Sequence, residues 1–180
     1  MTSALLILSL LAAEETVVTT VEPDEWPLEG RRVHYGIGAR VHGGVVESVN
    51  AYRMALQSEF AFFVSFRVMG HHEWRWGVGA VAGWPDLAGG ATNVSFRYHL
   101  NPRFSVGAGA FTYLGFSSMF AGLEVPLSIR LGSNRRHEVS LSFRGGAGAY
   151  NNGVTIAWYD FKALRPAWTL DAVLGYSAIF

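Results

Sequence analysis

The stretch Trp168–Phe180 reads WTLDAVLGYSAIF, and its side chains alternate in character without a break. Trp168, Leu170, Ala172, Leu174, Tyr176, Ala178 and Phe180 fall on one face, and Thr169, Asp171, Val173, Gly175, Ser177 and Ile179 on the other. Successive side chains of a strand point to opposite faces, so a period of two marks a β-strand with one large apolar face and one smaller, more polar face. A helix would mix the two sets.

Upstream of this stretch the same alternation recurs. A first candidate strand sets Val33, Tyr35, Ile37, Ala39 and Val41 against His34, Gly36, Gly38, Arg40 and His42. A second sets Phe60, Phe62, Val64, Phe66 and Val68 against Glu59, Ala61, Phe63, Ser65 and Arg67, and a third sets Trp74, Trp76, Val78 and Trp84 against Arg75, Gly77, Gly79 and Gly83. Four more occupy Asn93–Leu100, Phe104–Tyr113, Ala121–Leu131 and Val139–Ala149, followed by the stretch quoted above. Pro126 is a blemish in the sixth, because it removes a ladder donor. Between the strands the expected connections are 43–57, 85–91, 115–118 and 151–166 on one side, and 70–73, 101–103 and 132–138 on the other. The first set is the longer, which places it outside the cell.

Alternation alone allows either face to point inward. Volume decides between them: eight strands enclose an interior just wide enough for side chains. A face rich in Trp, Phe and Leu would overfill that space, whereas Gly, Ala and Ser with scattered Arg, Glu and His would fit. The large face therefore points outward, toward an apolar solvent. In hydrocarbon each unsatisfied backbone N–H or C=O costs several kcal/mol, so the sheet must close on itself. No run of 18 or more apolar residues lies outside the extreme N-terminus, so strands, not helices, must do the crossing. The expected fold is all-β, an eight-stranded antiparallel up-and-down transmembrane β-barrel over residues 32–180.

Ahead of the barrel, Ala4–Ala13 (ALLILSLLAA) has the apolar run and small-residue end of a secretory signal, which assigns 1–13 to a signal peptide. Residues 14–31 follow as an acidic periplasmic tail, with Glu14, Glu15, Glu22, Asp24, Glu25 and Glu29 and no base before residue 30. The net charge of zero hides this segregation, since residues 30–180 hold 14 bases against 8 acids and all the bases but Lys162 are Arg. No basic run is dense enough to point to nucleic acid. The absence of cysteine removes thiol chemistry and Cys-ligated metals, and no cofactor is expected.

The run YHLNPRFSVGAGAFTYLGF (Tyr98–Phe116), two strands joined at an Asn-Pro turn, and the ending LDAVLGYSAIF (Leu170–Phe180) resemble the small bacterial outer-membrane barrels typified by the outer-membrane protein A membrane domain. The resemblance covers roughly residues 31–180. It implies residence in the outer membrane of a Gram-negative cell among its lipids, with both termini periplasmic. It also implies an assembly signal at Leu174, Tyr176 and Phe180 read by the barrel-assembly machinery. The tail EETVVTTVEP (Glu14–Pro23) looks like the energy-coupling box of TonB-dependent transporters, but this chain has no room for their plug domain.

Three sets of residues are candidates for function. The inward phase carries Arg40, Arg67, Arg75, Arg97, Arg130 and Arg144 with Glu59, Glu124 and Asp171, plus His34, His42 and His99. These form either an internal polar network that fills the barrel or an Arg-lined lumen that admits anions. His71, His72 and Glu73 could chelate a metal, but neighbours in a strand diverge, so they are expected in a solvated turn. An acyl-transfer enzyme like the lipid A deacylases would need a His in the outward phase beside a nucleophile. The expectation is that no His lies there, and HLNP at His99 does not match that family's His-x-Ser-Asn pattern. Finally, Trp158, Tyr159 and Phe161 in the 151–166 connection are candidates for recognising an extracellular ligand. The functional expectation is a non-enzymatic barrel serving envelope integrity or surface contact, with a small-solute channel as the alternative.

Overall fold

The computed structural model describes residues 32–48, 51–68, 70–84, 88–151 and 165–180. Eight strands follow one another as β1 (Val33–Ser48), β2 (Ala51–Arg67), β3 (His72–Trp84), β4 (Gly89–His99), β5 (Phe104–Gly115), β6 (Ser118–Leu131), β7 (His137–Tyr150) and β8 (Arg165–Ile179). Each pairs antiparallel with its neighbours in sequence, and β8 pairs back onto β1, so the sheet is a closed barrel without an edge. The closing seam runs from Gly36 opposite Ile179 to Ser48 opposite Ala167. Just past it, the Phe180 N–H donates to the Tyr35 carbonyl at 2.8 Å.

The faces divide as volume requires. Tyr35, Phe62, Trp76, Leu123, Phe143 and Leu174 stand on the exposed exterior, while Arg75, Glu138, Arg97 and Ser95 are buried inside. A water-soluble barrel would reverse this arrangement; an apolar exterior around a charged interior is the distribution a bilayer demands. Glycine makes the interior possible. A Cβ on Gly36 would overlap the ring of Phe63, which lies across the space that Gly36 leaves open.

Two expectations change. Residues 43–57 are not a loop: β1 continues to Ser48 and β2 starts at Ala51, paired through Gly44–Ala55, Val46–Arg53 and Ser48–Ala51. Gly43 and Gly44 thin the apolar row without ending the strand. A span of about 9–11 tilted residues crosses a bilayer, so these longer strands carry their hairpin beyond it. With this loop gone, 151–164 is the one long connection on its side, so the contrast in loop length between the two ends rests on it alone.

Pro126 does leave a mark. The β5–β6 pairing reaches Val106–Leu127 and resumes only at Gly109–Glu124, so the ladder lapses beside the residue that has no N–H to donate. Its ring is buried inside the barrel, close to the spot where a Cβ on Gly107 would sit.

Candidate functional site

The barrel interior holds two layers of charge. In the first, Arg75 of β3 reaches Glu138 of β7 with Nη1 to Oε1 at 2.6 Å and Nη2 to Oε2 at 3.0 Å. Its Nε and Nη2 also donate to Glu73 Oε1 at 3.2 and 2.9 Å. Arg97 donates to Glu138 at 2.9 Å and to the Ser128 hydroxyl at 3.2 Å. Arg130 donates to Glu73 at 2.7 Å, and the His99 ring meets the same carboxylate at 2.9 Å. The guanidinium of Arg75 rests on the Phe63 ring, 4.3 Å from its centre.

The second layer lies further along the barrel. Glu59 accepts from Arg40 at 3.3 Å and meets His42 at 2.8 Å, with Arg144 Nη1 3.6 Å away. Arg144 Nε donates to Glu124 at 2.9 Å, and Asn93 donates to the other oxygen of Glu124 at 3.3 Å. Asp171 is half-buried, accepts from Thr169 at 2.9 Å and faces Arg144 across the β7–β8 pairing. Beyond this layer the interior turns apolar: Val46, Ala55, Phe111, Phe120, Tyr150 and Ala167 pack together. A cavity of about 30 Å³ remains between that cluster and His42, Arg144 and Asp171. It has room for roughly one or two waters.

Two carboxylates at the heart of the first layer fall outside the sequence reading. Glu73 is expected in a solvated turn and Glu138 in a connection, yet both are buried, at 4% and 1% exposure, because β3 begins at His72 and β7 at His137. Their phase was the available signal: Glu73 is two residues before Arg75, and Glu138 two before Ser140, each on the inward side. Arg67, in contrast, is at the mouth, where its Nε donates to the Gly70 carbonyl at 2.9 Å. These shifts change the sign of the lumen. Among the described residues the interior holds Arg40, Arg75, Arg97, Arg130 and Arg144 against Glu59, Glu73, Glu124, Glu138 and Asp171, a balanced set in place of a cationic lining.

The His71–His72–Glu73 trio comes apart. Glu73 points inward, while the ring of His72 stacks outside on Phe96 at 5.2 Å and that of His71 lies 5.8 Å from Tyr98. His72 is thus outward-facing, as is His137, contrary to the expectation that no outward His exists. The His137 ring meets the Tyr176 hydroxyl at 2.6 Å, and the His72 ring lies against Phe96 and Tyr98. Leu174 and Tyr176 on β8 and Phe180 just past it form an exposed outward row. Trp158, Tyr159 and Phe161 lie outside the described residues.

No family model matches the chain, and no curated protein matches it in sequence. Among solved structures it is similar to Neisserial surface protein A, at 11% identity and a TM-score of 0.48, over 80% of this chain and 96% of that one. It is similar to the outer membrane protein AlkL in lipid bilayers at 15% identity and a TM-score of 0.43, over 83% and 91% of the two chains. The third is Ail, the attachment invasion locus protein of Yersinia pestis, at 9% identity and a TM-score of 0.41, over 83% and 100%. A closed ring of eight strands, apolar outside and charged within, makes this chain a small membrane β-barrel.

Proposed function

We propose that this protein is a non-enzymatic integral barrel of the Gram-negative outer membrane, closed to solutes, which serves envelope integrity or contact at the cell surface. The observation that carries the reading is the balanced charge of the interior, most of it held in ion pairs. A pore that admits anions needs guanidinium groups turned toward water, but here each carboxylate of the first layer is shared among several bases, at least one of them from another strand. A buried charge is tolerable only when it is paired in this way. The apolar cluster beyond the second layer narrows the remaining path further.

Conductance across planar bilayers tests the reading. The purified protein should give no steady current steps, whereas the double variant Arg75→Ala with Glu138→Ala should open a small leak. Steady ohmic conductance in the unaltered protein would favour a small-solute channel instead.

With an even number of strands, the start of β1 and the end of β8 lie at one end of the barrel, and we assign that end to the periplasm. The opposite end then presents connection 151–164 to the outside, where Trp158, Tyr159 and Phe161 are the aromatic side chains suited to a partner. Replacing all three with Ser should abolish adhesion of expressing cells and leave the quantity of folded barrel unchanged. The outward row at Leu174, Tyr176 and Phe180 is proposed as the signal read during assembly.

A further inference from the structure

The barrel end that carries Arg32 and Phe180 is ringed with arginine. Arg32 precedes β1, Arg67 closes β2, Arg103 lies in connection 100–103, and Arg135 and Arg136 lie in connection 132–136. Each turn at this end thus carries or adjoins a guanidinium group. Among the described residues no acidic side chain is exposed there: Glu73 and Glu138, the nearest, are buried and engaged by Arg75, Arg97 and Arg130.

These cations crowd one another. Backbone bonding ties the strand ends together, with the Arg130 N–H donating to the Arg103 carbonyl at 2.8 Å. Arg135 sits in the left-handed region at φ 50°, where residues with a side chain are uncommon. Burial, and then the like charges of Arg103 and Arg130, lower its pKa. Like charges held together lose their mutual repulsion when an anion joins them.

An acidic segment precedes β1 in the same chain. Residues 14–29, just upstream of Arg32, contribute Glu14, Glu15, Glu22, Asp24, Glu25 and Glu29 with no base among them. A short tether places such a segment at an effective concentration of about millimolar near the rim, whichever lipids surround the barrel. We propose that the acidic segment 14–29 docks on the arginine rim of its own barrel and withholds that rim from anionic lipid headgroups. The inference does not depend on whether the interior conducts.

The chain has no cysteine, so Thr20→Cys and Ser133→Cys can carry the only two spin labels without removing a charge. Pulsed electron paramagnetic resonance on the exported protein in phosphatidylcholine vesicles then reads the distance between tail and rim. At about 10 mM salt a short, narrow distribution is expected; it should lengthen and broaden at about 1 M, where the screening length falls to about 3 Å. Combining Arg103→Gln, Arg135→Gln and Arg136→Gln should give the same broadening at low salt, with unboiled gel mobility confirming that the barrel is folded. A broad distribution indifferent to salt and to these replacements would overturn the proposal. Loss of the short distance in vesicles that include phosphatidylglycerol would also overturn it, by giving the rim to lipid headgroups.

Discussion

Arg75 and Glu138 meet face to face across the lumen, with two hydrogen bonds of 2.6 and 3.0 Å joining β3 to β7. These strands lie half a turn apart in the eight-stranded ring, so the pair bridges the barrel through its interior. Both side chains are almost fully buried. Removing one partner takes two bonds from the other in a site that water barely reaches, leaving Arg75 only Glu73 or leaving Glu138 without its bidentate partner. Arg75→Leu or Glu138→Leu alone should each cost about 3–5 kcal/mol. The double variant removes one charge of each sign, leaving Glu73 with Arg130 and Arg97 with the Ser128 hydroxyl. Urea unfolding in lipid vesicles should therefore show the double variant more stable than the sum of the singles by about 0.5–3 kcal/mol. Simple additivity would mean that the bridge is not formed.

Glycines test the packing on each side of the wall. A methyl group at Gly36 would run into the Phe63 ring and the Ala178 carbonyl, whereas one at Gly145 would meet only Leu170 Cδ1, at 3.9 Å. Gly36→Ala should cost about 1–3 kcal/mol through overpacking. Gly145→Ala should be neutral or stabilising by up to about 1 kcal/mol, through a less flexible unfolded chain. The same vesicle titrations measure both, and equal effects at the two sites would contradict the assigned phase.

Charge on the outer wall gives the complementary contrast. Leu123 lies in the middle of β6, 72% exposed and beside buried Glu124. Leu123→Arg should destabilise the barrel by about 2–4 kcal/mol in a bilayer. Ser142→Thr, on the inward side of β7, should change stability much less. Folding free energies measured in liposomes check the difference.

Phe180 ends the outward row of β8, and its N–H is bonded to Tyr35 across the β8–β1 seam. Deleting it should leave export across the inner membrane intact and lower the amount assembled in the outer membrane. Cell fractionation with unboiled and boiled gel samples measures this. Normal assembly without Phe180 would remove the terminal row from the assembly signal.

Strand phase was legible because it is local: each residue's face follows from its neighbours two positions away, as the unbroken row of β8 shows. Strand ends were less legible. Gly43 and Gly44 thin the apolar row of β1, so Val46 and Ala55 read as loop when they in fact pack inside the barrel. Glu73 and Glu138 sit within two residues of strand starts, next to His72 and His137, where polar neighbours look like solvated turns. Which Arg meets which Glu was not legible at all. Arg75 and Glu138 are 63 positions apart, and only closure of the ring brings them together.

The most direct test of the account is to ask which wall touches lipid. Single cysteines replacing Leu123, Leu174 and Ser142 can be labelled with a fluorophore in vesicles that contain brominated acyl chains. Labels at 123 and 174 should be strongly quenched and the label at 142 should not. Quenching at 142 with shielding at 123 and 174 would exchange the inside and outside of the barrel and contradict its placement in a membrane.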